Sequence, residues 1–170
     1  MKPRRPGAEW YPRYRMASYT AAVGAMIWTV AIVLPFPPFS YIPPIIVGGG
    51  PGTWFMVGYL LYIVVGFAGL AAFSSILYMV ERGEGRRADG VALLAGLPLL
   101  YFGVTAASIM LGMAGFEGGY ARSIQHASEQ AIEGILQPYV NPITVSALAA
   151  VAGAGLSVLG VARSFREAGA

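Results

Sequence analysis

The residues best suited to do chemistry lie in one stretch, between Arg122 and Glu133. His126, Glu129 and Glu133 form an H-x-x-E-x-x-x-E pattern. In a helix, spacings of three and four place an imidazole and two carboxylates on adjacent turns of one face, where they could bind Zn, Cu or Fe or share a proton. One hypothesis is therefore a metal site at His126, Glu129 and Glu133.

The same stretch also has a simpler interpretation. One segment supplies at most three ligands, the chain has no second His, and Arg122 lies one turn before His126, where its charge opposes a bound cation. We therefore expect a solvated polar face with charge pairing among these four residues. No cofactor is predicted, and a metal ion completed by another subunit is the alternative.

The rest of the composition excludes most other site chemistries. Without Cys the chain has no disulfide, thiolate metal site, iron–sulfur cluster or thiol nucleophile. Its 170 residues are 56% hydrophobic and 11% charged, which is typical of a polytopic membrane protein. The formal charge of +3 comes from short basic clusters beside apolar runs, so no nucleic-acid partner is expected.

Four apolar runs predict an all-α membrane domain that occupies the whole chain, 1–170. The clearest run, 53–80, contains no Asp, Glu, Lys, Arg, His, Asn or Gln. At ~1.5 Å per residue it is long enough to cross a hydrocarbon core of ~30 Å. The other predicted spans are about 16–34, 91–114 and 142–162.

Two of the connections carry structural signals of their own. The loop 35–52 is rich in Pro and Gly and strongly apolar, so we expect an ordered or semi-extended loop rather than a helix, in contact with lipid or another subunit. Between spans three and four, an apolar stripe at spacings of four, three, four and four predicts an amphipathic helix at about 119–137, with Pro138 as its end.

The distribution of basic residues predicts the topology. Ten of the eleven lie in the N-terminus, the 81–90 turn and the C-terminus, and Arg122 is the exception. The apolar spans predict an integral protein of a cytoplasmic or plasma membrane. By the positive-inside rule, both termini are predicted to be cytoplasmic. The Pro/Gly loop and the amphipathic helix then face outward.

Small residues within the spans predict close helix packing, because they let two backbones approach. The predicted packing positions are Gly58, Gly66, Gly69, Gly103, Ala107, Gly112, Gly153 and Gly155.

Three functions fit these observations. The first is a non-catalytic structural or accessory subunit that contacts membrane lipids. It belongs either to a homo-oligomer or to a larger complex, such as an energy-converting one. On its own it is not expected to be an enzyme. The second is a component of a metal- or redox-dependent membrane enzyme that uses His126, Glu129 and Glu133. The third is a channel or carrier for a neutral solute, lined by Tyr and Ser side chains.

Overall fold

A computed structural model describes residues 9–166 and shows a helical chain with short connections. The four long helices are long and apolar enough to cross a membrane. This confirms the predicted all-α fold with four spans and supports an integral membrane location. The helices are α1 (Tyr11–Val33), a short α2 (Ile42–Val47), α3 (Gly52–Gly83), α4 (Gly90–Ser123) and α5 (Glu129–Arg166).

Helix α3 contains two stretches of wider π-helical turn, Tyr62–Gly69 and Met79–Gly83. In a π turn each backbone amide donates to the carbonyl five residues earlier instead of four. The regular hydrogen-bond pattern is shifted there, and a backbone carbonyl can accept from a second donor. The hydroxyl of Ser18 in α1 donates to the carbonyl of Phe67 at 3.2 Å. The Phe67 carbonyl also accepts from the backbone amide of Leu70, so Ser18 is an additional donor that gives α1 a polar contact with α3 at the first wide turn.

The core lies where the four long helices meet. Tyr14, Leu70, Leu77 and Leu93 are completely buried there. The Tyr14 hydroxyl also bonds to the Ser157 hydroxyl of α5 at 2.6 Å, which satisfies both polar groups within the core. One buried tyrosine therefore joins α1 to the last helix.

Large apolar side chains also face outward, most clearly along α1. Met16, Val23, Ile27 and Val30 are each more than half exposed. Their spacing of three to seven residues keeps them on one side of the helix. Such a surface is stable against lipid tails but not against water, which agrees with a membrane location.

The helix ends form two distinct ends of the bundle. The arginine end holds the start of α1, the end of α3, the start of α4 and the end of α5, as shown by the contacts of Glu81 with Trp10 and of Asp89 with Arg163. The loop end holds α2, the end of α4 and the start of α5. Residues 9 and 166 therefore lie at the same end.

The prediction of a helix-free loop at 35–52 is wrong, because α2 lies within it. Pro43 and Pro44 occupy the first turn of α2, where an amide hydrogen has no helical partner and proline costs little. Ile45 is completely buried, and an added Cβ on Gly119 of α4 would overlap its side chain. Packing on the end of α4 thus holds this short helix.

The prediction of a separate amphipathic helix at about 119–137 is also wrong. Residues up to Ser123 belong to α4, residues from Glu129 belong to α5, and the chain turns between them. The turn contains His126 with a φ of 53°, which no helix accommodates. Pro138 does not end the following helix, since α5 continues through it and through Pro142. Membrane helices tolerate such prolines because neighbouring groups compensate for the lost bonds.

Candidate functional site

The three residues of the metal hypothesis do not share a helical face. His126 lies in the turn between α4 and α5, whereas Glu129 and Glu133 lie at the start of α5. Arg122 approaches Glu129 at 3.5 Å. Within residues 9–166, no three His, Cys, Asp or Glu side chains are grouped so that they could hold a metal ion. The geometry on which the hypothesis depended is therefore not present.

The hydroxyl groups inside the spans mainly bond to one another or to the backbone. Thr29 and Tyr59 pair at 2.7 Å, and Thr20 donates to Tyr101 at 3.1 Å. Each pair joins two helices, so these groups stabilise helix contacts. Ser108 in α4 differs, because its hydroxyl is completely buried and has no hydrogen-bond partner among the described residues.

Several of the predicted packing positions lie where two helix backbones come close. An ideal Cβ on Gly58 would lie 2.6 Å from the Ser108 carbonyl oxygen, and one on Gly103 would lie 2.8 Å from the Ser146 carbonyl oxygen. A Cβ on Gly153 would overlap the Leu100 amide nitrogen. Real carbon–oxygen contacts are longer, so a side chain at these positions would push α3 or α5 away from α4.

The other predicted packing positions differ in what they contact. A Cβ on Gly112 would lie 2.7 Å from the Trp28 ring of α1, and one on Gly66 would lie 3.4 Å from Val104 of α4. Ala107 is almost completely buried. The neighbours found around Gly69 belong to its own helix.

Gly155 is different from all of these. It is exposed, and a Cβ built on it would have no neighbour within 4 Å. Gly153, two residues earlier, faces α4 directly. Helix α5 therefore carries small residues on two faces, one covered by α4 and one directed away from the described chain.

Helices α3 and α5 leave two apolar grooves between them. The first, at the loop end, has a volume of about 320 Å³, and its walls include Trp54 and Val57 of α3, Leu111 of α4, and Val140 and Ile143 of α5. The second has a volume of about 310 Å³ and lies toward the arginine end. The walls of the second groove are formed by Phe73, Ile76, Val158, Val161, Ala162 and Phe165.

A network of charges closes the arginine end. The Glu81 carboxylate accepts bonds from the backbone amides of Trp10 at 3.0 Å and Tyr11 at 3.2 Å. These amides begin α1 and have no partner inside their own helix, and a carboxylate at a helix N-terminus also interacts favourably with the helix dipole. Arg82, the next residue, pairs with Glu9 at 2.9 Å. The end of α3 is thereby bound to the start of α1.

A second polar contact joins the remaining two helices at the same end. Asp89 caps α4 by accepting from the amide of Val91 at 3.0 Å, and it also forms an ion pair with Arg163 of α5. The hydrogen bond from Arg163 lowers the pKa of Asp89 below its ordinary value. The carboxylate is thus held in its charged form.

These two contacts were not foreseen from the sequence. The sequence predicts only a charged turn at 81–90 that reports topology, because the partners of Glu81 and Asp89 lie about 70 residues away along the chain. The sequence signal that could have located Asp89 is its position just before an apolar run, which is typical of an N-cap residue. Comparison with protein-family models, with curated proteins and with solved structures finds no match to this chain.

Proposed function

We propose that the protein is a non-catalytic membrane subunit that assembles through the outward face of α5, with another membrane subunit or with a second copy of itself. The observation that carries this proposal is the open surface at Gly155. Ala147, Val151 and Gly155 follow one another at spacings of four and are all exposed. The two small residues of this set, Ala147 and Gly155, let a second helix approach closely in lipid.

The two faces of α5 support this reasoning by comparison. On the inner face, Gly153 lies against the backbone of α4, where an added Cβ would overlap the Leu100 amide nitrogen. The outer face also carries small residues, Ala147 and Gly155, but they stand among exposed larger side chains such as Leu148 and Val151, and Gly155 has no neighbour in the described chain. A helix that only faced lipid would gain more dispersion contact from large side chains than from Gly and Ala. The small outer residues therefore support the proposal of a protein partner.

The proposal includes an orientation with both ends of the chain in the cytoplasm. The arginine end carries Arg13, Arg15 and Arg87 in addition to its paired arginines, whereas the loop end has Arg122 and three glutamates. Because positive charge is retained on the cytoplasmic side, the arginine end is assigned to it.

The orientation can be tested by labelling, since the chain contains no Cys. Gly83→Cys and Gly134→Cys introduce single thiols at opposite ends, at positions where a Cβ has no neighbour within 4 Å. In intact cells a membrane-impermeant maleimide should label the thiol at 134 and not the thiol at 83. The reverse pattern would refute the proposed orientation.

The assembly can be tested with Gly155→Leu in the full-length protein. The bulky side chain should abolish the oligomer or the co-purifying partner, as measured by native mass spectrometry after extraction in a mild detergent. Gly134→Leu is the matched control, because Gly134 lies on the same helix, is exposed and has the same free space, but lies outside the apolar part of α5. A wild-type protein that is monomeric without a partner, or an assembly that survives Gly155→Leu, would contradict the proposal.

A further inference from the structure

We propose that the groove at the loop end binds one glycerophospholipid, with an acyl chain between α3 and α5 and the phosphate on Arg122. The groove begins at the first residues of α3 and reaches Val57, about 7 Å along the helix axis. This depth corresponds to the boundary between headgroups and acyl chains if the helix starts at the membrane surface. Trp54 on the groove wall is a residue type typical of that boundary.

The chemistry of the groove favours an apolar occupant. Its two hydroxyl groups are already used within the chain, since Thr53 donates to the Gly50 carbonyl at 2.7 Å and Thr144 donates to the Val140 carbonyl at 2.8 Å. The rest of the wall is mainly aliphatic. A polar solute would lose its hydrogen bonds to water there without replacing them, whereas a hydrocarbon chain has no such hydrogen bonds to lose.

Arg122 lies beside the turn that leads into this groove, outside the groove wall itself. The Arg122 guanidinium lies over Gly50, where an added Cβ would be 2.6 Å from its Nη1 atom. Gly50 is the residue to which Thr53 of the groove wall is hydrogen-bonded through both its amide and its hydroxyl. The Arg122 guanidinium and the groove wall therefore both contact the same short turn. A phospholipid likewise carries its phosphate close to the start of its acyl chains.

The ion pair of Arg122 leaves room for a phosphate. Its Nη1 atom is 3.5 Å from Glu129, whose side chain is 79% exposed, and 42% of the Arg122 side chain is itself exposed. Arg86, near the second groove, is bound more tightly, with its Nε atom 2.8 Å from Glu84 and its guanidinium 4.8 Å from the Phe165 ring centre. An exposed arginine with a long ion pair is the better phosphate ligand of the two.

The test uses the full-length protein in a mild detergent, titrated with phosphatidylglycerol that carries brominated acyl chains. Bromine quenches tryptophan fluorescence at short range, so binding should give saturable quenching that is absent from Trp54→Phe. Val57→Phe fills the groove and should abolish the saturable component. Val158→Phe is the matched control, because Val158 lines the second groove and is 56% exposed, compared with 52% for Val57.

The headgroup is tested separately. Arg122→Gln should weaken binding about fivefold, since one basic residue near a lipid surface contributes ~1 kcal/mol. Glu129→Gln removes the competing carboxylate and should strengthen it. Inorganic phosphate alone should leave the fluorescence unchanged.

Three results would overturn the proposal. The first is quenching that rises without saturation and is unaffected by Val57→Phe, which means bulk lipid contact. The second is equal loss of binding in Val57→Phe and Val158→Phe. The third is a co-purifying membrane protein that is displaced by Val57→Phe, which means that a helix occupies the groove.

Discussion

Substitution of Gly153 by Ala should weaken the contact between α4 and α5. The added methyl group would overlap the Leu100 amide nitrogen and lie 2.8 Å from the Gly96 carbonyl oxygen, whereas an ordinary contact needs about 3.5 Å. Both neighbours are backbone atoms and cannot rotate away. Overpacking of this kind costs ~1–3 kcal/mol, and the higher helix propensity of Ala offsets up to ~1 kcal/mol.

Gly134→Ala is the control that separates these two effects. It lies on the same helix, and its added methyl group has no neighbour within 4 Å, so it should gain only the propensity term. The difference in unfolding free energy between the two variants then reports the steric cost, ~1–3 kcal/mol. Unfolding can be followed by circular dichroism in mixed micelles as the fraction of sodium dodecyl sulfate rises. Equal stability of the two variants would refute the close approach of α4 and α5.

Three further perturbations address the polar contacts. Glu81→Gln should lower the unfolding free energy by ~1 kcal/mol in the same micelle assay, because the backbone amides at the start of α1 lose a charged acceptor; an unchanged value would contradict the capping role. Asp89 has a folded-state pKa below its unfolded value of ~3.9, so its pair with Arg163 stabilises the protein above that pH and is lost as the pH falls through the folded-state pKa. Asp89→Asn should therefore flatten the acid limb of a stability–pH profile, and a profile like that of the wild type would refute this. Ser108→Ala should stabilise the protein by ~1 kcal/mol, since it removes a buried hydroxyl without a partner; a loss of stability would show that the hydroxyl does have one.

The spans were predictable because lipid imposes one strong requirement, a run of about 20 apolar residues, and the sequence meets it four times. The predicted positions of the helix ends were less accurate. The sequence pattern predicts that residues 119–123 begin a separate helix, but they continue α4. The apolar spacing continues without interruption through the turn that contains His126, so periodicity alone could not detect the change of direction there.

The helix end predicted at a proline is wrong for a different reason. Pro138 was interpreted as a helix end, although α5 passes through it. The rule that proline ends a helix applies to proteins in water. There the chain can leave the helix as a loop, because water bonds to the carbonyl that has lost its donor. In a membrane protein the surrounding helices make continuation the better alternative. The grooves could not be predicted, since they depend on how far α3 and α5 lie apart, and no single-helix pattern contains that distance.

The contact between Glu81 and the start of α1 has a consequence for biosynthesis. The carboxylate lies 71 residues after Trp10, so α1 leaves the ribosome long before its cap exists. Until then the first amides of the helix depend on water or lipid headgroups. The start of α1 therefore reaches its final form only after α3 has packed beside it, so the cap of the first helix is completed by a later segment of the chain.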